Sequence, residues 1–289
     1  WSGKVSLASD MGRIEDEDYF IGRTKELEEV KQTLEDKGVV VVLGMPGVGK
    51  TTFAMRCGNE LKEDGAIVRW IDSDSKEKIY AGYNKIVKEL GIDLDDKRDL
   101  SDSISLAAGS KADKAKGLSM GHDSYTSGRA RTSSFGAGEQ KLEMVRNMVN
   151  GRLEGLGKKI VVIFDNVEPE ALKTIKNYIK NKPSNMKIVL TTRDESFKSV
   201  ANLVTIEPFL ENEAMAYAKS VFADDPRADE AKLNELLNEV GAEQGVLLPY
   251  SVAQVVTTVK NDEMLEIDEY LAEYREAKNK GENNLMRLI

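Results

Sequence analysis

At 289 residues, 40% hydrophobic and 31% charged, the chain can bury one large core or two modest ones and has the composition of an ordinary soluble globular protein. Lys and Arg total 41 against 50 Asp and Glu, a formal charge of −9, which argues against a broad grip on nucleic-acid phosphates. The single cysteine, Cys57, excludes an internal disulfide framework, and the longest apolar runs fall far short of the roughly 20 residues of a membrane helix, so no membrane role and a cytoplasmic location are expected.

In chain order, residues 1–18 mix small, polar and acidic residues and read as a solvated lead-in. Phe20-Ile21-Gly22-Arg23 breaks that pattern. Thr24 is placed to cap a helix running through Glu35, with Leu27, Val30 and Leu34 on one face. Val39–Leu43 is then an apolar β-branched strand, and the residues after it carry the strongest signal in the chain.

Gly44-Met45-Pro46-Gly47-Val48-Gly49-Lys50-Thr51 fits G-x-x-x-x-G-K-[ST] between that strand and the helical run from Thr52. Glycines let the backbone curl until successive N–H groups face one anion, and the following helix adds its positive end. It reads as a phosphate-binding loop. Lys50 would reach the β- and γ-phosphates and Thr51 would ligate Mg²⁺.

Ala66–Ile71 reads as a second strand and Lys76–Leu90 as a helix closed by Gly91. From about 99 to 138 the composition shifts to Ser, Gly, Ala, Lys and Asp without a period, a linker-like insertion that holds the only histidine, His122. A helix over about Glu139–Leu156 leads to the buried strand Ile160–Phe164 and Asp165. A helix near Pro169–Lys180 and strands at Lys187–Thr191 and Leu203–Ile206 follow. Strands alternating with helices imply right-handed crossovers and a mostly parallel α/β sheet covered on both faces. Beyond Pro208 only helical patterns remain, at Glu211–Phe222, Asp229–Val240, Leu247–Lys260 and Asp268–Ala277. The expected organisation is a nucleotide-binding domain over 19–208 and a small helical domain over 209–289.

Asp165 ends an apolar strand, at the edge where open α/β sheets bind ligands, and is the natural Mg²⁺ partner of Thr51. Mg²⁺ keeps several waters, so Thr51, a water oriented by Asp165 and two phosphate oxygens suffice. Arg193, after the next strand, has the fork geometry to contact a γ-phosphate; its bland alternative is a surface pair with Asp194.

These residues resemble the NB-ARC branch of the STAND class of P-loop ATPases, relatives of the AAA+ proteins. Phe20–Glu26 is similar to the hhGRxxE adenine-side motif, Gly44–Thr51 to Walker A, and Lys159–Val167 to Walker B. Lys187–Asp194 resembles the sensor-arginine segment and Leu247-Leu248-Pro249-Tyr250 the GLPL motif. The resemblance implies a five-stranded sheet in which the Thr191 strand lies between the loop strand and the Asp165 strand. It implies ATP or ADP with Mg²⁺ as cofactors, Ile21, Gly22 and Arg23 bordering the base, and Pro249 packing on adenine. It also implies a closed ADP state and an open ATP state that oligomerises, in immunity or cell-death signalling.

Two departures narrow the expectation. Asn166 stands where the family often has a second acidic residue, and an amide cannot serve as a general base, so hydrolysis should be slow, with Glu168 an alternative base. The chain, from Trp1 to Ile289, reads as a piece of a longer protein, without the winged-helix, sensor and effector domains of the family. The rival readings are an AAA+-type nucleic-acid-associated ATPase such as a replication initiator, and a binding module that does not hydrolyse nucleotide.

Overall fold

The computed structural model describes residues 7–11, 20–91, 147–223 and 225–279. The insertion at 99–138, with His122, and most of the lead-in lie outside them. By its own contacts the chain divides into two compact units, Trp1–Met11 with Leu61–Ile188 and Gly12–Glu60 with Val189–Ile289. Among the described residues no helix is long and apolar enough to cross a membrane.

The strands are β1 (Val39–Leu43), β2 (Ile67–Asp72), β3 (Ile160–Asp165), β4 (Met186–Thr192) and β5 (Asn202–Thr205). They form one parallel sheet in the order β2-β3-β4-β1-β5. β4, the Thr191 strand, therefore lies between β3 and β1, as the resemblance implies. The helices are α1 (Thr24–Lys37), α2 (Lys50–Glu63), α3 (Lys76–Glu89), α4 (described over 147–155), α5 (Leu172–Lys180), α6 (Glu211–Val221), α7 (Glu230–Gln244), α8 (Pro249–Asn261) and α9 (Ile267–Asn279).

In the first unit β2 and β3 pair in register from Ile67↔Ile160 to Asp72↔Asp165. Every residue of β3 but its last is buried, the signature of a strand covered on both faces. Tyr83 of α3 stacks on Tyr178 of α5 at 4.5 Å between ring centroids, and Phe164 of β3 lies 5.7 Å from Tyr178. Gly82 lets α3 lie close against β2, because a Cβ there would lie 2.7 Å from Ile71 Cγ2. Residues 7–11, read from composition as part of a solvated lead-in, instead run beside β2: Leu7 is buried and Asp10 bridges Arg69 in parallel. Composition misses this because the pairing is carried by backbone groups.

In the second unit β1 pairs with β5 from Val40↔Asn202 to Leu43↔Thr205. α1 buries Leu27, Val30 and Leu34, the stripe its periodicity marks. Its start differs from the sequence expectation. Arg23, not Thr24, is the N-cap, and Gly22 and Arg23 both have positive φ, 73° and 64°. The turn into the helix is thus made by the backbone, without a side-chain cap. Helices α6 to α9 share a core that includes Ala218, Leu236, Val252, Val256 and Tyr270. α7 runs beyond Val240 to Gln244, where Gly245 at φ 69° ends it.

Candidate functional site

β1 ends at Leu43 and the chain turns at once. Gly47 and Gly49 take φ of 76° and 91°, a region L side chains avoid, and Lys50 opens α2. Gly44 is needed for a different reason. The chain leaving β5 donates Ile206 N to Leu43 O at 2.8 Å, and a Cβ on Gly44 would stand 2.7 Å from Ile206 O. Val48 is buried and pins the loop, whereas Met45, Pro46 and Gly47 are exposed. The Lys50 side chain is only 8% exposed, and its ammonium donates to the carbonyls of Gly44 at 2.9 Å and Met45 at 3.0 Å. Thr51 and Thr52 follow, exposed, in the first turn of α2. Cys57, deeper in that helix, is fully buried, and burial pushes its thiol up to about 12, so it stays protonated and packs as a small hydrophobe.

The Leu248-Pro249-Tyr250 segment lies on this loop. Tyr250 N donates to Gly47 O at 3.0 Å, and Pro249 Cβ is 4.0 Å from where a Cβ on Gly49 would be. Pro249 occupies the first turn of α8, where its missing N–H costs nothing. Phe209 and Leu247 form an antiparallel bridge that fixes the entry to that helix. Tyr250, the last residue of the GLPL-like segment, is 64% exposed beside the loop and meets it through its main-chain N–H.

Arg23 is 8% exposed. Its guanidinium donates to Glu207 O at 2.6 Å, approaches Glu26 at 3.5 Å and lies 5.6 Å from the Phe209 ring centre. It therefore ties the Gly22–Arg23 turn to the connection that leads from β5 into α6. Beside it, Glu213 accepts from Leu210 N at 2.8 Å, and a Cβ on Gly22 would be 2.5 Å from Glu213 Oε1. Ile21, half-buried, precedes this turn.

Arg193 stands exposed just beyond β4. The Asp194 carboxylate accepts Ser196 N at 2.8 Å, capping the 3-10 turn Glu195–Ser199, so its local bonding goes to the backbone. In the other unit Asp165 closes β3, and its carbonyl accepts Ser73 N at 2.8 Å. Asn166 follows at φ 58°, the left-handed region that asparagine tolerates better than most residues. That conformation is a reason for asparagine here independent of chemistry.

A five-stranded parallel sheet with helices between its strands, and a glycine loop between β1 and α2, define the α/β P-loop fold. Residues 22–96, about a quarter of the chain, match the family model described as Novel STAND NTPase 3. No curated protein matches the chain. Among solved structures, the chain is similar to a Walker-type ATPase of Pyrococcus abyssi, at 17% identity over 96% of this chain and 79% of that one, with a TM-score of 0.52. A DNA replication initiation factor aligns at 14% identity over 94% of this chain and 71% of that one, also at 0.52. A STAND protein of Pyrococcus horikoshii with a tetratricopeptide repeat sensor aligns at 15% identity over 94% of this chain and 34% of that one, at 0.46. At these identities the likeness is one of fold. The family match supports the STAND class of P-loop NTPase over the segment with the glycine loop; the narrower NB-ARC likeness rests on the motifs.

Proposed function

We propose that the chain is an adenine-nucleotide switch of the NB-ARC kind, holding ATP or ADP with Mg²⁺ and hydrolysing ATP slowly within a longer signalling protein. The observation that carries the reading is the loop itself: two glycines at positive φ, a nearly buried Lys50 at the start of α2, and the Pro249 segment bonded to Gly47. This arrangement suits a phosphate chain, since the N-terminus of α2 and the Lys50 ammonium favour negative charge. Met45, Pro46 and Gly47 are exposed, so the loop has a side open to it.

In this reading Gly44 to Thr52 hold the phosphates, and Thr51 and Asp165 hold Mg²⁺. The metal, when bound, neutralises charge on the β- and γ-phosphate oxygens. Arg193 contacts the γ-phosphate and distinguishes ATP from ADP by charge-assisted hydrogen bonds. Asn166 orients water by hydrogen bonding without accepting its proton, which is why turnover is slow. Ile21, Gly22 and Arg23 border the base and Pro249 packs on it. Arg23 also transmits the position of that turn to α6 through Glu207 and Phe209. In the longer protein the ATP state forms a homo-oligomer, and the output is immunity or cell-death signalling.

Thermal denaturation with and without MgATP or MgADP tests the reading. A ligand at 100 times its dissociation constant stabilises by about 2.7 kcal/mol, a readily visible shift. Absence of a shift with both nucleotides would sink it, and salt-dependent binding of duplex DNA would favour a nucleic-acid-associated ATPase instead.

A further inference from the structure

The strand order leaves β2 at one edge of the sheet. An edge strand presents main-chain N–H and C=O groups that pair readily with any extended chain. Residues 7–11 of the same unit lie along that edge. Asp10 N donates to Val68 O at 2.9 Å, Trp70 N donates to Asp10 O at 3.0 Å, and Val68 N donates to Ser9 Oγ at 3.0 Å.

Arg69 sits between those two bonded residues and is 2% exposed. Its guanidinium donates to Ala8 O at 2.9 Å and to both oxygens of Glu89 at 2.7 and 3.0 Å, and lies 3.5 Å from the Asp10 carboxylate. Lys85 pairs with Asp10 as well. The Lys85 ammonium, and after it the Arg69 guanidinium, hold the Asp10 carboxyl below the usual carboxylate range. Burying a guanidinium is costly unless its donors are met, and here a carbonyl and a carboxylate of the segment help meet them. Without that segment, an arginine in mid-strand is the charged residue that discourages unwanted pairing at an edge. With it, Arg69 reads the incoming chain.

We propose that the outer edge of β2 is a peptide-docking edge whose resident occupant is the chain's own segment 7–11, a detachable strand recognised by Arg69 through the Ala8 carbonyl and the Asp10 carboxylate. The attachment is one isolated bridge, with its hydrogen bonds and the Arg69 and Lys85 contacts all confined to residues 8–10, so it opens locally while the β2–β3 pairing stays intact. The segment docks within one molecule, favoured by the high effective concentration of a tethered strand.

Amide hydrogen exchange on the intact chain tests this independently of nucleotide. Val68 and Trp70 should be protected, and Asp10→Pro, which removes both the N–H bonded to Val68 O and the carboxylate, should speed their exchange at least ~10-fold while the β3 amides stay protected. A synthetic peptide of residues 1–14 at about 1 mM should restore protection to that variant, whereas the same peptide carrying Asp10→Lys should not. Asp10→Asn, which keeps the backbone bonds, should give a smaller acceleration in the full chain and serves if Asp10→Pro loses the fold. The proposal is overturned if neither variant changes exchange at these two amides, if the native peptide restores nothing, or if both peptides restore equally. Protection that rises with protein concentration would also overturn it, since the segment would then be docking between copies.

Discussion

The turns that follow β1 and β3 solve one backbone problem in two ways. After β1 the chain uses Gly47 at φ 76° and Gly49 at φ 91°; after β3 it uses Asn166 at φ 58°. Asparagine reaches the left-handed region at modest cost because its short polar side chain bonds locally, but φ near 90° is left to glycine. The first turn thus has no side chain at its two positive-φ positions, while the second keeps one. In the proposed function the first serves binding of phosphate and the second orientation of water.

Lys50→Ala tests the binding side and should have the largest effect. It should abolish most of the thermal shift given by MgATP, about 2.7 kcal/mol at 100 times the dissociation constant, while the nucleotide-free chain still melts cooperatively. A shift that survives would move the phosphate site away from this loop. Gly49→Ala should come next, costing about 1–2 kcal/mol of stability from its positive φ alone, read by urea denaturation. Among the described residues Pro249 Cβ, at 4.0 Å, is the one neighbour a new methyl there would meet, so crowding is not the cause.

At the second turn, Asn166→Gly should keep the turn's conformation, because glycine accepts φ 58° freely, so any loss of stability on urea denaturation reads the bonding of the asparagine residue and not its backbone strain. Asn166→Asp also keeps the backbone and supplies a carboxylate. It should speed single-turnover hydrolysis, within the ~10²–10⁴-fold that a positioned base contributes, without tightening ATP. If the rate is unchanged or lower, asparagine is there for its backbone and Glu168 is the next residue to replace.

The smallest effect on nucleotide is expected at a clamp within the helical segment after α6. Arg227 bonds both oxygens of Asp225 and the carbonyls of Asp262 and Leu265, tying the α6–α7 connection to the one after α8. The Arg227 side chain holds the Asp225 carboxyl far below its usual value. A carboxyl depressed on folding adds stability above its unfolded pKa, near ~4, and that contribution is lost as pH falls through the folded value. Asp225→Asn should therefore lower the melting temperature at pH 7, and the gap to the parent should narrow on acidification toward pH 3. MgATP should stabilise both chains alike.

Much of the fold was legible because its signals are local. The apolar run Val39–Leu43, the glycine spacing after it and the helical stripe of α1 each follow from residues a few positions apart, and the boundaries that fall among the described residues land within a few residues of expectation, the start of the Glu139–Leu156 helix lying outside them. The order of strands was legible only through the family resemblance, since periodicity does not say which strands are neighbours.

What the sequence determined by itself was therefore the succession of elements and the loop that joins β1 to α2, where motif and flanking pattern coincide. Tertiary structure alone decided why Gly44 must lack a side chain, since Ile206 O passes 2.7 Å from its would-be Cβ. It also made Arg23, read from sequence only as a motif residue, the N-cap of α1 and a tie to Glu207, 184 positions away. It laid Tyr250 N on Gly47 O and residues 7–11 on β2. Each of these is a main-chain group meeting a distant partner. Every residue carries the same amide and carbonyl, so composition and period leave no trace of which ones will pair until the fold brings them together.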